Sequence, residues 1–294
     1  MIDRLKREIL CYLPDSIREV ILRVSKSCLE GINEIRLRVG KPIILRAKDD
    51  DCVVKKIDGS EYILNNSELS RIFEMMCKNS IYAWQEEIAN GFLTLRGGHR
   101  VGISGKAIYK NSNVYSIRDI SGLNIRVARQ VIGAGDSIRK QIVKDKQFMS
   151  TLIVSPPGFG KTTVLRDLVR QMSNGVEDIK GVNISLIDER SEIAAVFNGI
   201  PQKDIGIRTD VMDGISKFDG INMMVRSMGP EFIATDEIGT KEDVEAILYA
   251  VNCGVKVLAT AHGSNMEDLM RRSELATVIN KGIFDNIIFL DKRG

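Results

Sequence analysis

The sequence predicts an α/β protein in two parts. An α+β N-terminal domain over residues 1–130 precedes a mostly parallel sheet with helices on both faces over residues 131–294. Two patterns predict this. Before about residue 130, short β-rich runs alternate with Gly and polar turns. After it, apolar runs of strand length alternate with helical stretches, as in sheets covered on both sides. A chain of 294 residues, at roughly 150 per domain, agrees with two domains.

In the N-terminal domain, helices are expected over residues 3–12 and 15–28. Asn33 to Leu45 reads as two strands joined by a Gly40-Lys41-Pro42 turn. Within Asn66 to Met76, Leu69, Ile72, Phe73 and Met76 recur at helical spacing, which predicts an amphipathic helix. Phe92 to Ile103 reads as a hairpin that turns at Gly97-Gly98. Gly133 and Gly135 fall in the expected linker.

In the C-terminal domain, buried strands are expected at 151–154, 183–187, 232–235, 255–259 and 286–290. The intervening helix is clearest at Val244, Ile247, Leu248 and Val251, spaced i, i+3, i+4, i+7. Thr240 with Asp243 can cap its start, and Gly254 can end it.

Composition excludes several classes. Hydrophobic residues at 44% and charged residues at 28% belong to a folded globular chain, not a disordered one. A net charge of +3 is too small to indicate a dedicated nucleic-acid binder. No apolar run approaches the roughly 18 residues of a membrane span, and the start Met1-Ile2-Asp3-Arg4-Leu5-Lys6 predicts no signal peptide. The cysteines Cys11, Cys28, Cys52, Cys77 and Cys253 form no C-x-x-C pair. They read as reduced, packed thiols of a cytosolic protein, and neither they nor two histidines suggest a zinc site.

The strongest chemical signal is the run from Thr151 to Thr163. An apolar strand leads into Ser155-Pro156-Pro157-Gly158-Phe159-Gly160, and Lys161-Thr162-Thr163 opens a helix with Val164, Leu165, Leu168, Val169 and Met172 on one face. Gly158 and Gly160 let successive N–H groups turn toward phosphate oxygens, over a helix N-terminus. Lys161 supplies a cation for β- and γ-phosphates, and the Thr162 hydroxyl can ligate Mg²⁺. Pro157, Phe159 and Thr163 complete the cradle. Ser155 stands where such loops begin with glycine, at the strand end rather than against the phosphates.

A second apolar strand, Phe232 to Thr235, ends in Asp236-Glu237. This places Asp236 beside the Mg²⁺ shell and Glu237 near the water that attacks the γ-phosphate. Two further strand ends contribute polar groups: Asp188-Glu189-Arg190 and Thr260-Ala261-His262. Ligands of open α/β sheets collect at the carboxyl ends of strands, so these groups can converge on the phosphates. The strand between the P-loop and Asp236-Glu237 predicts the RecA-like arrangement of P-loop ATPases. No Asn-Lys-x-Asp guanine-reading motif is present, so ATP with Mg²⁺ is the expected ligand pair.

On these residues the chain resembles the stage III AA family of sporulation ATPases, which are similar to type II and type IV secretion motor ATPases. The specific matching runs include Glu34 to Pro42, Gly97 to Gly102, Ser121 to Arg129, Ile187 to Ile193, Asp204 to Asp210 and Thr260 to Gly263. The resemblance implies that Asp188-Glu189 match the acidic "Asp box" of secretion motors and Thr260 to Gly263 the "His box", making Asp188, Glu189, Glu237 and His262 catalytic candidates. The magnesium-binding strand of those motors usually ends Gly-Glu; here Asp236 replaces Gly, leaving the division of Mg²⁺ work between Asp236 and Asp188 open. The resemblance also implies a homohexameric motor in the mother-cell cytoplasm. It would be peripheral to the membrane, docked on membrane proteins of the channel between mother cell and forespore.

Phosphoryl transfer needs cations around the spreading negative charge, and arginines supplied in trans contribute on the order of 10³–10⁵ in rate elsewhere. Arg100 and Arg126, in strand-like runs of the N-terminal half, are the candidates, and Arg226 is a further candidate sensor of the γ-phosphate. The rival reading is a nucleic-acid-dependent or RNA-binding ATPase, suggested by arginine-rich N-terminal strands and Gly102-Ile103-Ser104-Gly105. Aromatic residues at 5% offer few stacking platforms for single strands, so no direct nucleic-acid contact is expected. A scaffold that binds ATP without cutting it is disfavoured by Glu237.

Overall fold

The computed structural model describes residues 2–47, 50–78, 80–110 and 112–291. The chain divides between Arg129 and Gln130 into two compact units. Among the described residues no helix is long and apolar enough to cross a membrane.

The first unit opens with helices α1 (Ile2–Glu8), α2 (Asp15–Leu22) and α3 (Lys26–Gly31). The single helix expected over 15–28 is two, because the Ser25 side chain accepts from the Cys28 N–H and caps a fresh start. Strands β1 (Ile32–Arg38), β2 (Ile44–Ala47) and β3 (Asp50–Val53) follow, then α4 (Asn66–Met76), α5 (Gln85–Ala89) and strands β4 (Phe92–Leu95), β5 (His99–Lys110) and β6 (Asn113–Arg126). They form one antiparallel sheet in the order β3-β2-β1-β6-β5-β4. The predicted turns hold: Gly40 lies at φ 70°, and Gly97 and Gly98 at φ 86° and 75°. Strand β5 runs past the expected hairpin and returns as β6.

One face of this sheet, with Ile35, Leu37, Leu93, Val101, Leu123 and Ile125, joins the core with the helices. Period-2 alternation then sends Glu34, Arg36 and Arg38 to the other face, where Arg126 pairs in register with both Arg100 and Glu34.

The second unit contains α6 (Asp136–Arg139), a hairpin of β7 (Val143–Lys144) and β8 (Gln147–Phe148), β9 (Thr151–Ser155), α7 (Lys161–Asn174), and a hairpin of β10 (Gly175–Val176) and β11 (Ile179–Lys180). It continues through β12 (Ile184–Asp188), β13 (Thr209–Asp213), α8 (Lys217–Ser227), β14 (Phe232–Thr235), α9 (Lys241–Asn252), β15 (Lys256–His262), α10 (Met266–Met270), α11 (Ser273–Asn280) and β16 (Asn286–Phe289). The main sheet is parallel, in the order β13-β12-β14-β15-β9-β16. Strand β13 was not expected: its sequence Thr-Asp-Val-Met-Asp is polar because it forms the sheet edge and is only half covered.

Successive residues of the central strands enter two cores. Leu152, Val154, Ile233, Val257 and Ala259 pack with Ile221, Val244, Ile247 and Leu275 from α8, α9 and α11. Ile153, Leu186, Ala234 and Leu258 pack with Val164, Leu165, Leu168 and Val169 from α7. Helix α7 buries more than the predicted apolar stripe, since Arg166, Asp167 and Gln171 are buried as well. Gly135 is no loose linker residue: its N–H donates to Asp167 Oδ2 at 2.9 Å, and a Cβ there would lie 2.7 Å from Leu168 Cδ2.

Candidate functional site

The loop between β9 and α7 takes the shape its glycines allow. Gly158 and Gly160 lie at φ 79° and 85°, left-handed values that side chains with a Cβ rarely adopt. A Cβ at either position would meet nothing within 4 Å, so conformation rather than space demands glycine. Gly160 is the residue before α7, and no side chain caps that helix start. Its first N–H groups therefore remain suited to an anion. Pro157 and Gly158 are exposed, whereas Phe159 and Thr163 are half-buried.

Lys161 is 5% exposed and turns back on its own loop. Its Nζ donates to Ser155 O at 3.0 Å, Pro156 O at 3.2 Å and His262 Nδ1 at 2.9 Å. Burial pushes the Lys161 pKa below the usual lysine value, against the carboxylates of Glu237 and Asp236, which favour its charge.

Parallel pairing of β14 with β15, and of β15 with β9, brings three strand ends side by side. Asp236 accepts from Thr162 Oγ1 at 2.7 Å and also from the Thr260 hydroxyl. Glu237 has φ 46°, an uncommon value for a side chain, and its N–H donates to Thr260 Oγ1 at 2.9 Å. Its Oε1 lies 3.0 Å from His262 Nε2 and its Oε2 3.0 Å from Arg190 Nη1. An ammonium only donates, so His262 Nδ1 accepts from Lys161 and Nε2 carries the proton given to Glu237. Lys161, His262 and Glu237 thus form one chain of contacts across the strand ends.

The end of β12 is built differently. Asp188, 1% exposed, accepts from the N–H groups of Glu192 at 2.9 Å, Ile193 at 3.0 Å and Ala194 at 2.8 Å. Arg166 of α7 donates to the carbonyls of Glu192 at 2.6 Å and Ile193 at 2.5 Å. The carboxylate of Asp188 is thus committed to its own loop, while Asp236 lies beside Thr162. Glu189 pairs with the buried Lys217 at the start of α8. Asp213, opposite Asp188 in register, has its pKa raised by burial.

The structure therefore brings Lys161, Thr162, Asp236, Glu237 and His262 together, and Asp188, Glu189, Asp236 and Glu237 line a common crevice. Arg100 and Arg126 belong to the first unit. Arg100 stacks 3.7 Å from the Phe92 ring centroid, and Arg126, 68% exposed, lies 3.8 Å from Glu34. Arg226 packs on Tyr249, with Nε 3.3 Å from its hydroxyl. Sequence reasoning named Thr260 and Arg190 only among strand-end polar groups that can converge on the phosphates, and did not single out Arg166 or Lys217. For Arg166 a signal existed: it stands four residues after Thr162, on the same side of α7.

A sequence model of the family described as "Sporulation stage III, protein AA" matches residues 3–294. The chain is 37% identical over 285 residues to Stage III sporulation protein AA of Bacillus subtilis (strain 168), covering 97% of this chain and 91% of that one. Among solved structures, the pilus retraction motor PilT with bound ADP superposes with a TM-score of 0.58 at 19% identity, over 93% of this chain and 76% of that chain. The Legionella pneumophila ATPase DotB gives 0.54 at 17% identity, over 84% of this chain and 65% of that chain. These two likenesses establish the P-loop, RecA-like fold of secretion and pilus ATPases. Over nearly its whole length, the chain belongs to the sporulation stage III protein AA family.

Proposed function

We propose that the chain is a Mg²⁺-dependent ATPase whose hydrolysis drives motion in a homo-oligomeric ring of six subunits, working from the mother-cell cytoplasm on membrane proteins of the channel to the forespore. The observation that supports hydrolysis is the run of contacts from Lys161 through His262 to Glu237, beside the Thr162–Asp236 pair. The Thr162 hydroxyl and Asp236 carboxylate, 2.7 Å apart, are hard oxygen donors that fit Mg²⁺. When bound, the ion supplies neutralising charge at the β- and γ-phosphate oxygens. Lys161 and the N–H groups at the start of α7 hold the triphosphate. Glu237 orients the attacking water and takes up its proton, and His262 holds Glu237 Oε1 in place. Asp188 and Glu189 shape the acidic wall of the site. Arg100 or Arg126 enters from a neighbouring subunit to stabilise transferring charge.

The test is binding of Mg²⁺–ATP and release of phosphate by the purified chain, with size analysis in a non-hydrolysable ATP analogue. Retained ATP, steady phosphate release and a ring in the analogue are expected. Failure to retain ATP overturns the reading. Strong, salt-sensitive stimulation by RNA or DNA would redirect it to a nucleic-acid-dependent ATPase.

A further inference from the structure

The loop after β12 is stapled from both sides by buried charges. Asp188 accepts from the N–H groups of Glu192, Ile193 and Ala194, and Arg166 donates to the carbonyls of Glu192 and Ile193. Both stapling side chains are nearly inaccessible, at 1% and 8% exposure. Burial presses the Arg166 pKa down, against the nearby carboxylates of Asp188, Asp236 and Glu192. A buried acid and a buried base spent on main-chain groups of one short loop are costly unless that loop must hold its shape. A further contact tightens it, with the Ser191 N–H donating to Asp188 O at 3.3 Å, and Ser191 itself takes the left-handed φ of 55°.

From this loop Arg190 leaves its backbone at a fixed point, and its Nη1 lies 3.0 Å from Glu237 Oε2. The other oxygen of Glu237 faces His262. The carboxylate is therefore gripped at both ends, by groups from two different strand ends. The loop is also tied to the phosphate-binding helix, because Arg166 follows Thr162 by one turn of α7. A shift of α7 would thus move the loop, and with it the arm that reaches Glu237.

We propose that Arg190 is a positioning residue for Glu237, set by the Asp188–Arg166 staple, so that the phosphate-binding helix and the hydrolytic carboxylate move as one. The inference rests on the ATPase reading above. Arg190 is not part of the staple, and its side chain is 68% exposed, so its removal leaves the loop and the fold in place. What changes is the freedom of Glu237 to leave its place.

The experiment compares the wild-type chain with Arg190→Ala and Arg190→Lys, by the ATP dissociation constant and by the kcat of phosphate release. Arg190→Ala is expected to lower kcat by ~10- to 100-fold, the cost of a reacting group misplaced by about 1 Å. The ATP dissociation constant should stay within about threefold, because Arg190 acts on turnover rather than on binding. Arg190→Lys should restore part of the rate, as charge returns without the planar fork. An active wild type whose Arg190→Ala variant keeps its kcat overturns this inference and leaves the ATPase reading standing. A large loss of ATP binding in that variant overturns it too, because Arg190 would then be a ligand contact. A wild type that neither binds nor cuts ATP overturns both.

Discussion

The two units handle charge in opposite ways. In the first, the buried polar side chain among the described residues is His99, held by Glu8 and the Ala128 N–H, and the rest of the core is apolar. Arg36, Arg38, Arg100 and Arg126 of its antiparallel sheet lie on the face opposite the core, at half-buried or exposed positions. The second unit buries Lys161, Arg166, Asp167, Asp188, Lys217 and Asp243. A parallel sheet covered on both faces leaves few open places for polar groups except its strand ends and helix starts, and charges there must be paired. The same substitution should therefore cost little on the first sheet's open face and much at the second sheet's strand ends.

The largest expected effect is on Lys161. Lys161→Ala should weaken ATP binding by about 1,000-fold, or ~4 kcal/mol, measured by titration calorimetry. An unchanged affinity would break the contrast, since a buried cation at the P-loop would then be only structural. Next comes Glu237→Gln, which keeps shape but cannot take a proton. Phosphate release should fall by a few hundredfold, or ~3 kcal/mol in the barrier, while ATP binding persists. Rapid turnover by this variant would remove Glu237 from its assigned task.

The contrast also explains what could be read from the sequence. The P-loop, the Asp236-Glu237 strand end and His262 were legible because backbone shape and residue order there are local. The hairpin at Gly97-Gly98 and the helix from Asn66 to Met76 were legible for the same reason. Strand β13 was not, because an edge strand with a half-covered face has no apolar run to betray it. The commitment of Asp188 to Glu192, Ile193 and Ala194 was hidden as well, because an acid at a strand end looks the same whether it faces a phosphate or its own loop. Arg166 and Arg190 needed tertiary contacts with residues far along the chain.

Asp167 tests the buried charges without touching the candidate site. Burial alone would raise its pKa, but the Gly135 N–H, Arg170 and Gln171 donate to it and together hold it below the usual carboxylate value. A carboxylate whose folded pKa is depressed stabilises the fold above the unfolded value of about 4, and that stability is lost as pH falls through the folded value. Asp167→Asn should cost ~2–3 kcal/mol at neutral pH, with a gap from wild type that narrows below about pH 4 in thermal melts. A constant gap across that range would mean that packing, not charge, holds α7 to Gly135.

The smallest effect is the cleanest comparison, because both units carry the same device. Asn65 caps α4 by accepting from the Glu68 N–H at 2.9 Å, while Glu68 accepts from the Asn65 N–H at 3.0 Å. Thr240 and Asp243 repeat this at α9, at 3.1 Å and 3.0 Å. The surroundings differ. Glu68 is half-buried and shares its carboxylate with the Tyr62 hydroxyl, whereas Asp243 is 6% exposed and also accepts from the Gly239 N–H. Asn65→Ala should cost ~1 kcal/mol, the ordinary worth of a cap. Thr240→Ala should cost more, toward ~2 kcal/mol, because the Asp243 N–H loses its acceptor where less water can replace it. Hydrogen exchange at the Glu68 and Asp243 amides reads each cap locally, so the two units need not unfold together. Equal losses of protection would mean that a cap's worth is set by its motif alone, and burial would cease to distinguish the two halves of the molecule.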